Sequence, residues 1–169
     1  MSQPNRLMRG LRHLHFGPRH VRRVLPDSAL SRIEQAIAQG EAAHSAEIRF
    51  VVEASLGWRR VWAKFFSRER ALELFAQLHV WDTQQNNGLL LYVLLADQKV
   101  ELIVDRALAS VIAESAWLAV CRDLTAAYKA DRYLDGTLKA IDTIHALVGP
   151  HFPPQARDPN ELPDRPLVL

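Results

Sequence analysis

Polar residues that could bind a cation or a phosphate flank three apolar segments of this sequence. Glu47 begins the first segment, residues 86–88 precede the second, and residues 105–106 follow the third. If the first two segments are parallel strands and the third runs antiparallel to the second, these residues meet at one end of a sheet. The oxygens of such side chains suit calcium or magnesium rather than zinc. The candidates are Glu47, Asp82, Thr83, Asn86, Asn87, Asp105 and Arg106.

A cation at this end would be held weakly. Calcium takes about six to eight oxygen ligands, and only two or three of these candidates are charged, so water would complete the site. The same residues also have structural interpretations. Asn87 and Gly88 are typical of a turn, Asp82 can close a loop, and Asp105 can cap a helix.

The sequence contains no recognised catalytic nucleophile. It lacks the Gly-x-Ser-x-Gly motif of serine hydrolases, a glycine-rich phosphate loop and an Arg-His-Gly motif. The one cysteine, Cys121, is not followed six positions later by arginine, and it lies on the apolar face of a predicted helix. We therefore expect Cys121 to be packed and unreactive.

The elements that position these residues follow from hydrophobic patterning. Residues 89–96 form an unbroken apolar run, which is typical of a strand covered on both faces. Residues 97–99 then reverse the chain into a strand at 100–104, and residues 47–55 alternate as an earlier strand. The order α-β-α-β-β-α-α predicts an α/β fold: a small mixed sheet, with one parallel pair and one antiparallel hairpin, between helices.

Four helices are predicted around this sheet, beginning near residues 26, 58, 108 and 134. The second extends to about residue 78, and its aromatic stripe, including Trp62, Phe65 and Phe66, is expected in the core. Residues 26–152 would form a single domain. Residues 153–169, which are rich in proline, would be an extended surface tail.

Residues 1–25 are a basic arm with no acidic residue. The remaining chain has fifteen basic and nineteen acidic residues, a net charge of −4. One interpretation is contact with an anionic surface, either a membrane or nucleic acid, and nucleic acid is the less favoured because the body is acidic. The alternative is a loosely docked tail in which Leu11, Leu14 and Phe16 cover the domain. The arginines expected to contact an anionic surface are Arg6, Arg9, Arg12, Arg19, Arg22 and Arg23.

Composition indicates a globular protein in a reducing compartment. A single cysteine excludes an internal disulfide framework. The basic start is not followed by the apolar segment of a secretory signal, and no run is long enough to span a bilayer. The sequence therefore predicts a cytoplasmic location.

Residues 27–152 resemble the TPM domain, the thylakoid-lumen phosphatase-like family. The resemblance rests on residues 46–53 (AEIRFVVE), 86–92 (NNGLLLY), 103–108 (IVDRAL) and 133–136 (YLDG), and on the further matching sites Trp117, residues 151–153 (HFP) and residues 160–164 (NELPD). It implies a compact α/β domain, divalent-cation binding, acid phosphatase activity and accessory roles beside membrane proteins. By position, the implied cation ligands are Asp82, Asn87 and Asp105, followed by Glu47. The loop before Asn86 carries less acid than is common in the family.

Two functions compete on these observations. The first is a cytoplasmic binding or accessory domain that needs no cofactor and engages a protein partner, at a membrane surface through residues 1–25. The alternative is a phosphomonoesterase in which weakly bound calcium or magnesium polarises a phosphate. The missing nucleophile favours the binding domain.

Overall fold

The computed structural model describes residues 6–63, 65–154 and 160–169. The elements of this described part, in chain order, are α1 (Arg6–His15), α2 (Pro18–Val24), α3 (Asp27–Glu41), β1 (Glu47–Glu53), α4 (Trp58–Trp62), α5 (Ser67–Gln77), β2 (Gly88–Leu94), β3 (Lys99–Val104), α6 (Arg106–Val111), α7 (Glu114–Lys129), α8 (Tyr133–Val148) and β4 (Leu167–Val168).

The strands form one mixed sheet in the order β3-β2-β1-β4. β1 and β2 are parallel, with Glu47 opposite Gly88, whereas β2 and β3 form an antiparallel hairpin in which Leu89 is opposite Val104. The predicted α/β class and mixed sheet are confirmed. All seven residues of β2 are buried, and a large apolar side chain contributes about 1.5–3 kcal/mol when fully buried.

Apolar side chains cover both faces of the sheet, and β1 shows the predicted alternation. Ile48, Phe50 and Val52 pack with α3, α7 and α8. Val51 points to the opposite face, where it packs with Leu90, Tyr92 and residues of α4 and α5. The sheet is therefore a rigid platform, and its two ends are where loops and polar side chains gather.

The predicted helix at 58–78 is two helices, α4 and α5. Phe66 has an extended backbone (φ −110°, ψ 175°), so α5 begins anew at Ser67, and the Glu69 carboxylate accepts the Phe66 N–H at 3.0 Å. The prediction that the aromatic stripe lies in the core holds only in part. Phe65 packs against the core, whereas Trp62 is 55% and Phe66 41% exposed, so the prediction was wrong for these two residues.

The predicted helix beginning near residue 108 is also two helices, α6 and α7. Ile112 and Ala113 have extended backbones between them. Val111 and Leu118, on either side of this break, are 47% and 61% exposed.

The C-terminal segment is part of the folded core rather than only a surface tail. β4 adds to β1 as a parallel strand, with Val51 opposite Leu167, and Leu162 is buried. Arg49 Nη1 donates to the carbonyl oxygens of Pro163 and Arg165, both at 2.6 Å. The proline content predicted an extended segment, but it did not reveal the short strand β4.

Candidate functional site

Five of the predicted pocket residues meet at the amino end of the parallel strands. The Asp105 N–H donates to Gly88 O at 2.9 Å, and the Ala107 N–H donates to Asn86 O at 3.1 Å. Arg106 Nη2 donates to Asn86 Oδ1 at 2.7 Å. The residues brought together are Glu47, Asn86, Asn87, Asp105 and Arg106.

The loop before β2 is shaped by steric requirements at two positions. Asn86 has a positive φ of 53°, a conformation that asparagine tolerates better than most residues. A Cβ at Gly88 would lie 1.9 Å from Val80 O, so only glycine fits there. Thr83 Oγ1 accepts the Asn87 N–H at 3.0 Å, which holds the Asn87 side chain in the buried interior.

Most candidate ligands at this end also make structural hydrogen bonds. Glu47 Oε2 accepts the Leu162 N–H at 3.0 Å, and Asn87 Nδ2 donates to Ser45 O at 2.5 Å. Asp105 Oδ1 accepts the Arg106 N–H at 2.6 Å and caps α6. The Asp82 side chain is exposed. The structural interpretation of these residues therefore has direct support.

Three buried oxygen atoms at this end have no hydrogen-bond partner among the described residues. They are Ser45 Oγ, Asn87 Oδ1 and Asp105 Oδ2. All three are hard oxygen donors, but only one is a carboxylate, which fits a weak calcium or magnesium site completed by water. Within the described ranges, no group of three or more histidine, cysteine, aspartate and glutamate side chains is arranged to hold a metal ion.

A carboxyl pair that the sequence did not reveal lies beside these residues. Glu41 Oε1 accepts the Ile48 N–H at 2.7 Å, and its carboxyl group hydrogen-bonds the Asp164 side chain. Burial, reinforced by the charges of Glu47 and Asp164, raises the pKa of Glu41 to about 9. Glu41 therefore keeps its proton at neutral pH, and this proton links α3 to the C-terminal segment.

At the opposite end of the sheet, α1 is fixed by a buried ion pair that the sequence analysis missed. Arg9 Nη2 lies 2.7 Å from Asp97 Oδ2, and Arg9 Nε donates to both carboxylate oxygens at 3.1 and 3.0 Å. Arg9 Nη2 also donates to Phe65 O at 2.8 Å. Arg9 is thus committed to Asp97, which corrects its assignment to an anionic surface.

His13 completes this ion pair from the next turn of α1. Its Nδ1 accepts the Leu56 N–H at 2.9 Å, so the proton lies on Nε2, which donates to Asp97 Oδ1 at 3.0 Å. Burial alone would raise the pKa of Asp97, but the hydrogen bonds from His13 and Arg9 and the positive charge of Arg9 hold it at about 2. The spacing of Arg9 and His13, one helical turn apart, was the only sequence signal for this contact.

A second polar network occupies the carboxyl end of the strands. Glu53 Oε2 accepts the Tyr92 hydroxyl at 2.8 Å and Arg70 Nε at 2.9 Å. Arg70 also pairs with Glu73 at 2.7 Å, and Arg60 donates to the same carboxylate. Open α/β sheets usually bind ligands at this end. Here the charged groups are paired with one another, and Glu53 and Tyr92 are buried.

The outward face of α1 is apolar, the reverse of the expected arrangement. Leu11 is 61% and Leu14 77% exposed, whereas the polar Arg9 and His13 face the domain. The expectation that Leu11 and Leu14 cover the domain was therefore wrong. Two tryptophans of α4 extend the exposed patch, and a groove of about 160 Å³ separates the two helices. The "N-terminal apolar patch" consists of Met8, Leu11, Leu14, Trp58 and Trp62.

Exposed arginines lie on α1 and α4, the two helices that carry the N-terminal apolar patch, and on α2. Four predicted surface arginines are exposed, and Arg59 lies with its guanidinium 5.8 Å from the Trp58 ring centre. The side chain of Arg6 lies outside the described part. The exposed members of the predicted set are Arg12, Arg19, Arg22 and Arg23.

Cys121 is half-buried on α7. Burial raises the pKa of its thiol to about 11, so the group stays protonated at neutral pH. A protonated thiol is a poor nucleophile, in agreement with the expectation that Cys121 is unreactive. In the described ranges, no helix combines the length and apolar character needed to cross a membrane.

A mixed sheet of this topology, enclosed by helices and with polar loops at both ends, defines a small α/β domain. Residues 21–147 match the family model of the TPM domain, and the chain belongs to that family.

Two solved structures share the fold. The NMR structure of the BA42 protein from the psychrophilic bacterium Bizionia argentinensis is 22% identical with a TM-score of 0.74, covering 84% of this chain and 93% of that one. The NMR structure of the N-terminal domain of a P. gingivalis protein is 14% identical with a TM-score of 0.61, covering 79% and 83%. No curated protein matches the chain.

Proposed function

We propose that this TPM domain is a binding or accessory module that works at an anionic membrane surface, beside membrane-associated proteins, rather than a phosphatase. The observation that carries the proposal is the N-terminal apolar patch, in which tryptophan, leucine and methionine are exposed on two helices, α1 and α4, that also carry exposed arginines. Exposed apolar surface of this kind marks interaction sites rather than ordinary protein surface.

The chemistry of the patch suits a lipid interface. Tryptophan favours the headgroup level of a bilayer, and leucine favours the acyl boundary below it. Each arginine near an anionic surface adds about 1 kcal/mol of attraction. Anionic lipids are abundant in the cytoplasmic leaflet, which supports the proposed cytoplasmic location. The ion pair of Arg9 with Asp97 would hold α1 with its apolar face outward before binding.

The proposal is tested by sedimentation of the full chain with vesicles. Binding is expected with vesicles of phosphatidylcholine and phosphatidylglycerol, and it should weaken with phosphatidylcholine alone or at high salt. Leu14→Glu should weaken binding about tenfold, because it places a charge where an apolar side chain enters the interface. Leu14 is 77% exposed, so this change leaves the core intact.

The matched control is Leu118→Glu, which changes a leucine that is 61% exposed on α7, away from the patch. This variant should bind vesicles like the wild type. The proposal is rejected if the wild type does not sediment with anionic vesicles, or if the two glutamate variants lose binding equally.

A second candidate function, metal-assisted phosphomonoester hydrolysis, is supported by the unpaired oxygens of Asn87 and Asp105. These residues, with Ser45, would hold calcium or magnesium, which when bound would polarise a phosphate. Asp105→Asn keeps the acceptor that caps α6 but removes the charge. If this function is correct, the variant loses both phosphatase turnover and the magnesium-induced NMR shifts of residues 86–88. Equal turnover in wild type and variant would exclude this site.

A further inference from the structure

A groove of about 710 Å³ runs along the free edge of the sheet. β3 is the outermost strand, and within the described residues no strand pairs with its other side. Its side chains pack against α7 on one face and α5 on the other. Leu72 of α5 is 49% exposed and Leu118 of α7 61% exposed, and both line the groove. The groove is therefore a recessed strand edge between two apolar rims.

The backbone of β3 directs peptide groups into this groove. The Asp105 N–H bonds Gly88 O, and hydrogen-bonded pairs alternate along an antiparallel ladder. Every second residue of β3 therefore turns its N–H and C=O away from β2. Arg68 Nη1 donates to Leu102 O at 2.9 Å from the outer side, as this alternation requires. The outward residues are Val100, Leu102 and Val104.

Trp117 supplies an independent observation in the same groove. The residue lines the groove and is only 6% exposed, yet its Nε1–H has no hydrogen-bond partner among the described residues. Buried indole N–H groups usually find an acceptor. The Nε1 atom itself is buried, so a carbonyl group in the groove would provide this acceptor once the indole ring shifts toward it.

We propose that this groove binds an extended peptide segment of a protein partner, which adds to β3 as a further strand. Only an extended backbone offers alternating N–H and C=O groups at the spacing of a strand edge. Apolar side chains at alternate positions of the peptide would pack on Leu72 and Leu118, and one of its carbonyls would accept the Trp117 Nε1–H. The inference rests on the accessory role proposed above and names a protein partner for it.

The recess favours a single peptide over a second copy of this chain. In two copies joined edge to edge, the helices that flank each groove would meet before the strands could pair. In the free protein Arg68 covers Leu102 O, and the Cys121 sulfur accepts the Leu102 N–H. The Arg68 side chain is 56% exposed and a thiol is a weak acceptor, so an incoming strand can displace both at low cost. A charged side chain that covers an edge strand in this way commonly prevents uncontrolled pairing with other strands.

The test is selection of a phage-displayed library of random linear peptides on the full chain. The enriched peptides, synthesised and titrated into the isotope-labelled protein, should carry apolar residues at alternate positions. They should shift the amides of Val100, Leu102 and Val104 and the indole N–H of Trp117. Failure to enrich peptides, or shifts confined to other surfaces, would overturn the proposal.

Three variants test whether the residues of this groove bind peptide or are only structural. Leu118→Glu should weaken peptide binding about tenfold, whereas Arg68→Ala should tighten it, because the side chain that covers Leu102 O is removed. Trp117→Phe should weaken binding while keeping the aromatic ring. Unchanged affinity in Leu118→Glu would contradict the proposal. Concentration-dependent dimerisation that Leu118→Glu abolishes would also overturn it, by assigning the groove to a second copy.

The same two glutamate variants distinguish this inference from the proposed membrane function. Leu14→Glu should lose vesicle binding and keep peptide binding, and Leu118→Glu should do the opposite. If the protein binds vesicles but selects no peptide, the peptide-binding role of the groove is wrong and the membrane function stands. If it binds peptides but not vesicles, the membrane function is wrong and the peptide-binding role stands.

Discussion

Replacing Asp97 with asparagine is expected to destabilise the domain by about 3–5 kcal/mol, the usual cost of leaving a buried charge without its partner. The side chains of Arg9 and Asp97 are only 6% and 10% exposed. Asparagine has nearly the same shape as aspartate, so the loss of stability reports the removal of the negative charge rather than a change in packing. Urea unfolding at neutral pH measures the change in the free energy of unfolding.

Asp123→Asn is the matched control for this measurement. Asp123 pairs with Arg122 at 3.0 Å, but the two side chains are 60% and 75% exposed, so the change should cost less than about 1 kcal/mol. A double variant, Arg9→Met with Asp97→Leu, should recover much of the stability, because it removes both buried charges. Equal stability of Asp97→Asn and the wild type would show that α1 is not fixed by this ion pair.

The ion pair also predicts loss of stability in acid. The pKa of Asp97 is about 2 in the folded protein, below its ordinary value of 3.8. The unfolded chain therefore binds more protons in this range, and the contribution of Asp97 disappears as the pH falls from about 4 to about 2.

Glu41→Gln is expected to stabilise the protein, with an effect that grows as the pH rises. The folded state keeps the Glu41 proton up to a pKa of about 9, whereas the ordinary value is 4.5. Between these values the folded state binds more protons than the unfolded state, so the free energy of unfolding falls with increasing pH. Glutamine stays neutral, still accepts the Ile48 N–H and can donate to Asp164.

Thermal unfolding across this range measures the effect. The free energy of unfolding of the variant should match that of the wild type near pH 4.5 and exceed it by about 2 kcal/mol or more near pH 9. Each unit of pKa shift corresponds to about 1.4 kcal/mol. Glu34→Gln, on the same helix, should follow the wild type at every pH. If the stability of the wild type does not decline toward alkaline pH, Glu41 does not keep its proton in the folded protein and the account of this carboxyl group is wrong.

The sequence predicted the sheet and its polar amino end because both depend on local signals. Alternation in residues 47–53 set the two faces of β1, and the hairpin at residues 97–99 set the direction of β3. Together these two features placed Asn87 and Asp105 at one end. Topology alone was sufficient for that conclusion.

Contacts between distant segments were beyond the reach of sequence patterns. Arg9 and Asp97 are 88 positions apart, and a basic residue in a helix is normally assigned to solvent. For that reason Arg9 was assigned to the surface, and Leu11 and Leu14 were assigned to the side of α1 that faces the domain. The extended backbone at Phe66 had the same consequence for α4, because periodicity continued across a break that only the packing reveals.

Quenching of tryptophan fluorescence by brominated lipids tests the membrane function most directly. Trp58 and Trp62 are 66% and 55% exposed in the patch, whereas Trp117 is buried and Trp81, which is 48% exposed, precedes β2 at the other end of the sheet. With bromolipids in anionic vesicles, the wild type should be quenched, and the double variant Trp58→Phe, Trp62→Phe should lose most of that quenching. No quenching of the wild type, or equal quenching of both proteins, would contradict insertion of the N-terminal apolar patch into the lipid interface.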